Sequence, residues 1–499
     1  MAATDSPAQV NRAAGLGVLL AACVSALVVN ANTSAVTILL PAIGEDVGAS
    51  VDTLQWAVTG YMLVGAAVIV TSGALGDVFG RRRIFLGGLV LFVLSCVLIA
   101  LSSAAAGVIA GRMIQGAAGS TILACGMSLL SVDSSGPGQM RAITLWGAAS
   151  AVGGAAGPLI GGVLVDSTGW QGLFWIDALI AALCIPLTWF AVRESRDPDR
   201  PRQIDVLGTV LVAVLLVPLV LALSEGSDWG WFSVPVVGCL VVAALGGAGF
   251  VHVERRATAP LVDLQLLRNR VLVGAALAIL LVAGVINALM YLLSLYFQNP
   301  NGFGMTALDA GLATLPAAAA MIAITPVITP LAVKIGPRYA VAIGFGLSTV
   351  GCAALVFVEP SWGYGAFVVP LIVLSIGLAL ANGPASAAST SVVDADQIGQ
   401  ASGISNMARY VGGSLAVAAA ATVSTAATAG RDTAEGASAG LGAGALLLAL
   451  MSAGGVALVL LLRRHRAEPA TAVHLAAAAA ATSHTIPTRP RPATTGGAR

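Results

Sequence analysis

The sequence predicts an all-α integral membrane protein of fourteen transmembrane helices, and three observations predict it. Of 499 residues, 58% are hydrophobic and only 9% charged, whereas ordinary globular domains carry about 25% charged residues. Mean hydropathy is +0.93, so most of the surface suits lipid. Apolar runs of about 20 residues, the length that crosses a bilayer, also recur along the whole chain. A soluble enzyme or nucleic-acid binder is excluded, and a net charge of +1 supplies no basic field for a polyanion. The six cysteines, Cys23, Cys96, Cys125, Cys184, Cys239 and Cys352, fall inside apolar stretches without paired or metal-like spacing and read as small core residues. Lys334 is the single lysine among 24 basic residues, a bias that with abundant Ala and Gly points to a high-GC bacterial genome.

Taken in order, the apolar runs are 14–40, 54–75, 83–103, 106–131, 141–165, 172–192, 205–224, 233–253, 271–297, 308–333, 338–358, 364–389, 401–424 and 440–462. The first is too long for a cleaved signal peptide and lacks a small-residue cleavage site, so it is expected to remain as a helix. Residues 463–499 are Ala-rich with scattered Pro, Thr and Arg and lack an apolar face, so a disordered tail is expected. If residues 1–13 lie in the cytoplasm, 21 of the 24 basic residues share that side, among them Arg81, Arg82, Arg83, Arg193, Arg255, Lys334 and Arg338. The opposite loops hold only Arg431, beside Glu45, Asp46, Asp52, Asp166, Glu225 and Glu359. The positive-inside rule then places both termini in the cytoplasm.

Between the second and third spans runs Gly73-x-Leu75-Gly76-Asp77-x-Phe79-Gly80-Arg81-Arg82-Arg83. Its glycines permit a tight turn and close helix approach, and Asp77 beside the arginines can form a charged latch to neighbouring helix ends. Topology alone would explain the arginines but neither Asp77 nor the glycine spacing. In the fourth span, Arg112 and Gln115 share a helix face. An intramembrane arginine is costly and faces a cavity or partner; pairing with a backbone carbonyl is the alternative to a coupling role. The fifth span carries Gly147, Gly153, Gly154, Gly157, Pro158, Gly161 and Gly162, small residues that let helices pack closely around a proline bend.

Together these stretches resemble the major facilitator superfamily. The Gly73–Arg83 loop looks like its loop signature, Arg112 like its buried arginine of ion coupling, and Gly157-Pro158-x-x-Gly161-Gly162 like the antiporter signature of drug:proton exchangers. Trp170-Gln171-Gly172-Leu173-Phe174-Trp175-Ile176-Asp177, Asp205-Val206-Leu207-Gly208 and Ala310-Gly311-Leu312-x-x-Leu315-Pro316 resemble entries to the sixth, seventh and tenth helices of its fourteen-helix drug-transporter branch. Pro330-x-x-x-Lys334-x-Gly336-Pro337-Arg338 echoes the Gly80–Arg81 loop, as expected of transporters built from two related halves. The resemblance covers residues 15–462 and implies two six-helix pseudo-repeat halves, 14–192 and 271–462, separated by two inserted helices within 193–270. It also implies a latch of Gly73, Asp77, Gly80, Arg81 and Arg82, and transport residues Arg112, Gln115, Asp77 and Asp177.

One position departs from the pattern. Where the family's first helix usually has an acidic residue, this chain has Asn32, which hydrogen-bonds but does not titrate. No other carboxylate lies at mid-membrane; the nearest are Asp177, Asp309 and Asp77. Asp177 is the candidate coupling residue, the alternative being a carboxylate stabilised by a helix N-terminus. Asn30, Gln55, Asn32, Asn287, Asn382, Asn406 and Arg409 are either cavity residues or polar glue between helices, with Asn32 and Asn287 in related positions of the two halves. Trp56, Tyr61, Tyr291, Tyr296 and Phe297 can stack on a substrate or form interfacial belts.

The function expected is secondary active efflux of small lipophilic drugs or antibiotics from a bacterial plasma membrane by proton antiport and alternating access. The alternative is a gradient-driven facilitator without proton coupling, motivated by Asn32. With so few buried acids, neutral or weakly charged amphipathic substrates are expected. No nucleotide-binding Gly-x-x-x-x-Gly-Lys-Ser/Thr loop occurs, and His252, His465, His474 and His484 form no metal or catalytic constellation. No enzyme activity, cofactor, metal or nucleic-acid partner is therefore expected, and one chain suffices as a monomer.

Overall fold

Fifteen α-helices and no strand make up the described part of the chain in a computed structural model, which describes residues 7–133, 136–195, 205–257, 260–394, 397–428, 431 and 433–461. The expected tail, 463–499, lies outside the described residues. The helices are α1 (Pro7–Val47), α2 (Val51–Phe79), α3 (Arg81–Ala100), α4 (Ala105–Asp133), α5 (Gly136–Thr168), α6 (Gln171–Ala191), α7 (Val206–Trp229), α8 (Val234–Glu254), α9 (Arg270–Gln298), α10 (Ala307–Ala313), α11 (Leu315–Ile335), α12 (Pro337–Val356), α13 (Tyr364–Ser391), α14 (Ile398–Thr428) and α15 (Ala434–Leu461). Thirteen stretches are long and apolar enough to cross a membrane, and α5, bent by 41° between Gly138–Gly154 and Leu159–Val165, makes fourteen. That bend falls where the sequence places Pro158, whose side chain lies outside the described residues.

Several boundaries differ from the sequence expectation: α1 ends at Val47 and not at 40, α5 starts at Gly136, α7 ends at Trp229 and α15 starts at Ala434 and not at 440. Helix α1 begins at Pro7, inside the segment expected to precede the first span. The tenth span is divided at Thr314 into α10 and α11, because Pro316 sits in the first turn of α11, where its missing N–H costs nothing. Elsewhere short polar side chains set the helix starts by accepting orphan backbone N–H groups. Ser50 caps α2 through Thr53 N at 3.2 Å, Asp205 caps α7 through Gly208 N at 2.6 Å, and Asn269 caps α9 through Val271 N at 3.0 Å.

The internal repeat is visible in the backbone. Helices α2 and α3 are joined by Gly80 alone, at φ 108°, and α11 and α12 by Gly336 alone, at φ 91°. Both are left-handed conformations that favour glycine. Two residues on from each glycine, an arginine ties the joint to the sixth helix of its own half. Arg82 Nη2 donates to Trp189 O at the end of α6 (2.7 Å), and Arg338 Nε donates to Val459 O at the end of α15 (2.8 Å).

Three large apolar cores follow, with a small fourth around Ile328, Ala332 and Ala340. One is built from α1 to α6, a second from α9 to α15, and a third fills the seam where α2, α7, α9 and α14 meet. The inserted pair is tied to both sides of that seam. Thr59 Oγ1 donates to Glu225 Oε1 (3.4 Å), and Trp231 Nε1 donates to Thr422 Oγ1 (3.1 Å).

Within the first core, the glycine run of α5 lies against α1. A Cβ at Gly157 would strike Ala31 O and Ser34 Oγ, and one at Gly153 would strike Leu27 O. Gly161 faces Ala35, and Gly162 is partly exposed on the same helix. A Cβ at Gly154 meets nothing within 4 Å. Overpacking of this kind costs about 1–3 kcal/mol. We therefore expect Gly157→Leu to lower the melting temperature and monodisperse yield of detergent-extracted protein, with Gly154→Leu close to wild type. Equal behaviour of the two variants would refute the packing.

Candidate functional site

A polar cluster sits inside the first half. Arg112 on α4, Asn32 on α1, Gln115 on α4 and Asp177 on α6 are each at most 4% exposed. Arg112 Nη1 donates to Asn32 Oδ1 (2.6 Å) and to Gln115 Oε1 (2.5 Å), while its Nε reaches Ala57 O at 3.3 Å. Its guanidinium lies 4.3 Å from the centre of the Tyr61 ring. Asn32 Nδ2 donates to Asp177 Oδ2 at 2.7 Å. Gln115 Nε2 donates to Cys96 Sγ at 3.0 Å, fixing the amide so that its oxygen faces Arg112.

An amide suits the two partners at this position. Arginine offers only donors and an ionised carboxylate only acceptors, and the asparagine side chain presents one of each. Asn32 thus transmits the Asp177–Arg112 attraction through two charge-assisted hydrogen bonds. At 1.5 Å per residue, Arg112 and Asp177 lie about 10 Å inside the starts of their helices. That depth overturns the reading of Asp177 as a helix-end carboxylate. It is well inside α6, whose N-cap residue is Trp170 with no side-chain cap, and it serves Asn32 instead.

The Gly73–Arg83 segment divides its work. Asp77 and Arg81 form a buried ion pair at 2.7 Å. The Asp77 carboxylate lies against the first turn of α14, where a Cβ at Gly399 would strike both oxygens, and a Cβ at Gly73 would strike Gly399 O. An anion there meets the positive end of a helix dipole. Arg82 and Arg83 turn the other way. Arg82 stacks on Trp189 at 4.6 Å, its backbone N–H donates to Glu194 Oε1 (3.2 Å), and Arg83 lies 3.6 Å from Glu194 Oε2. Gly73 and Asp77 therefore lie against the second half, with Arg81 paired to Asp77, and Glu194 is a participant the sequence did not suggest.

Further hydrogen bonds join the halves near the same end. Ser402 Oγ donates to Ala124 O (2.8 Å), Ser131 Oγ to Thr390 Oγ1 (3.1 Å) and Gln139 Nε2 to Thr390 Oγ1 (3.3 Å). Tyr410 and Ser120 share one nearer the middle, at 3.2 Å. Beside it, Arg409 donates to Asn382 Oδ1 (3.0 Å) and Ser386 Oγ (3.2 Å).

The other expected cavity residues scatter. Asn287 is exposed and donates to Ala283 O of its own helix at 2.8 Å, so it does not mirror Asn32. Tyr61 is 2% exposed beneath Arg112 and presents no free face, whereas Trp56 is 44% exposed. Tyr291 is half-buried on the second core.

Comparison with known proteins agrees with this architecture. The chain is 32% identical over 406 residues to the tetracenomycin C resistance and export protein of Streptomyces glaucescens, covering 80% of this chain and 74% of that one. It is 32% identical over 407 residues to the multidrug resistance protein Stp of Mycobacterium tuberculosis, covering 81% and 74%. With the cephamycin export protein CmcT of Amycolatopsis lactamdurans identity is 31% over 420 residues, covering 83% and 85%. Its fold matches the crystal structure of the human organic anion transporter MFSD10 with TM-score 0.64 at 16% identity, over 91% of this chain and all of that one. The proton:xylose symporter XylE superposes with TM-score 0.61 at 14% identity, over 88% and 95%. With the Major Facilitator Superfamily model matching residues 22–417, this multi-pass membrane protein belongs to the major facilitator superfamily.

Proposed function

We propose that the protein is a secondary active exporter of small lipophilic compounds, antibiotics among them, driven by proton antiport. The observation that carries this reading is the buried Arg112–Asn32–Asp177 chain, which supplies a carboxylate at the site where the first helix has none. The names of the relatives, which export tetracenomycin C and cephamycin or confer multidrug resistance, support the cargo class. The arginine asymmetry supports a bacterial plasma membrane with both termini, and hence the Gly80 loop, in the cytoplasm. In that orientation the contacts between halves described above close the cytoplasmic end.

Protonation of Asp177 removes its charge and gives one oxygen a proton to donate, so Asn32 loses the anion that orders its amide. Arg112 then keeps only the neutral partners Asn32, Gln115 and Ala57 O. The two protonation states thus favour two arrangements of α1, α4 and α6, which is what coupling requires. A single chain contains both halves and acts as a monomer.

The test is efflux of fluorescent lipophilic compounds from loaded cells lacking their own pumps, with and without a protonophore. Efflux that collapses with the protonophore, and in Arg112→Ala, is the expected result. Efflux indifferent to the protonophore would support the second reading, a facilitator without proton coupling, which Asn32 in place of a first-helix acid favours.

A further inference from the structure

A second arginine within the membrane span has no such counterpart. Arg409 is the twelfth of 31 residues in α14, which puts it about 17 Å along a helix of about 46 Å, near the middle of the membrane. A charge at that depth is retained only where it meets a partner or a polar cavity. Its hydrogen bonds go to Asn382 Oδ1 and Ser386 Oγ, both neutral, and its Nε is buried without a partner among the described residues. The ion pairs among the described residues are Asp77–Arg81 and Arg83–Glu194, and neither involves Arg409.

The helices around it explain the deficit. Neither α13 nor α14 contains an acidic residue. In α5 the only acidic residue is Asp166, near the opposite end. Arg409 is half-buried and not sealed, and the stretch of α5 from Ala148 to Val152 is likewise half-exposed. The Trp146 ring on that helix lies 5.8 Å from the guanidinium. A cation near mid-membrane at the junction of the halves, beside an indole and with neutral hydrogen-bond acceptors, lacks only an anion.

We propose that Arg409 is the substrate's counter-ion and that the cargo carries a carboxylate, phenolate or similar acidic group on an aromatic body. This rests on the export reading and refines it. The scarcity of acids in the sequence argues against dications, and the surplus guanidinium gives the preferred sign. Asn382 and Ser386 orient the guanidinium, leaving the open side of the group for the cargo.

Fluorescein, anionic and planar, is the probe, with neutral Nile red and cationic rhodamine 6G as comparisons. Binding of fluorescein to purified full-length protein in nanodiscs is read by anisotropy, and efflux of all three dyes is read in loaded cells. Losing a charge-assisted bond of this kind is expected to raise the fluorescein Kd about tenfold or more in Arg409→Gln. Arg409→Lys should recover most of it, and Nile red efflux should be unchanged in both. An unchanged Kd in Arg409→Gln, no fluorescein binding by wild type, or equal losses for fluorescein and Nile red would each overturn the assignment. Wild-type cells that export none of the dyes while the purified protein shows the Arg409-dependent Kd would refute export and leave the anion site standing.

Discussion

Asp177→Asn is expected to abolish protonophore-sensitive efflux while leaving a folded protein at wild-type abundance. The substitution keeps volume and can keep a hydrogen bond to Asn32, but it deletes the one carboxylate in the Arg112 cluster. A hydrogen bond to a charged group is worth about 1.5–3 kcal/mol, so the bias between the two arrangements should fall about 10- to 150-fold. Downhill flux of the same dye, measured with the membrane potential and pH gradient collapsed, should persist. The reciprocal exchange is the sharper experiment. Because Asn32 and Asp177 share one hydrogen bond, Asn32→Asp combined with Asp177→Asn moves the acid to the other end of it and places it directly on Arg112. We expect the double variant to recover proton-driven efflux to within about threefold of wild type, as interaction energies between groups in contact allow. Full proton-driven efflux in Asp177→Asn alone would remove Asp177 from the coupling path.

Much of this architecture was legible because lipid imposes a coarse rule on sequence. Each span must be about 20 apolar residues, so each of the fourteen runs falls on a helix, with the largest offsets at both ends of α1 and at the start of α15 and with a break at Pro316. The Gly80 and Gly336 joints were readable because a left-handed residue between two helices demands glycine. Their arginines were readable only by register, since Arg338 stands two residues after Gly336 as Arg82 does after Gly80. Partners across the bundle were not. Nothing in a one-dimensional pattern shows that Asn32 meets Asp177, 145 residues away, or that Glu194 receives Arg83. For Asp177 the sequence left a helix-end role open beside coupling, because spacing does not show which neighbour a side chain faces.

The same limit applies to the loop motif, whose spacing suggested a latch but not its counterpart, and here a second large effect is expected. Val70, Gly73 and Asp77 form one stripe of α2 that lies on Gly399 and Gly403 of α14. Backbone meets backbone there, so Gly73→Leu must push α14 away from α2. Overpacking costs about 1–3 kcal/mol, which would lower the population of this closed arrangement about 5- to 150-fold if the whole cost falls on it. Efflux should fall accordingly, with Gly73→Ala intermediate. Ser402 reports the opening directly, since it is buried between the halves with its hydroxyl bonded to Ala124 O. In a chain whose six native cysteines are replaced by alanine, Ser402→Cys should react slowly with a membrane-permeant maleimide and faster when Gly73→Leu is added. A variant that stops transport without raising this labelling would show that the stripe serves folding and not closure. Faster labelling with transport intact would show that closing this end is not required for turnover.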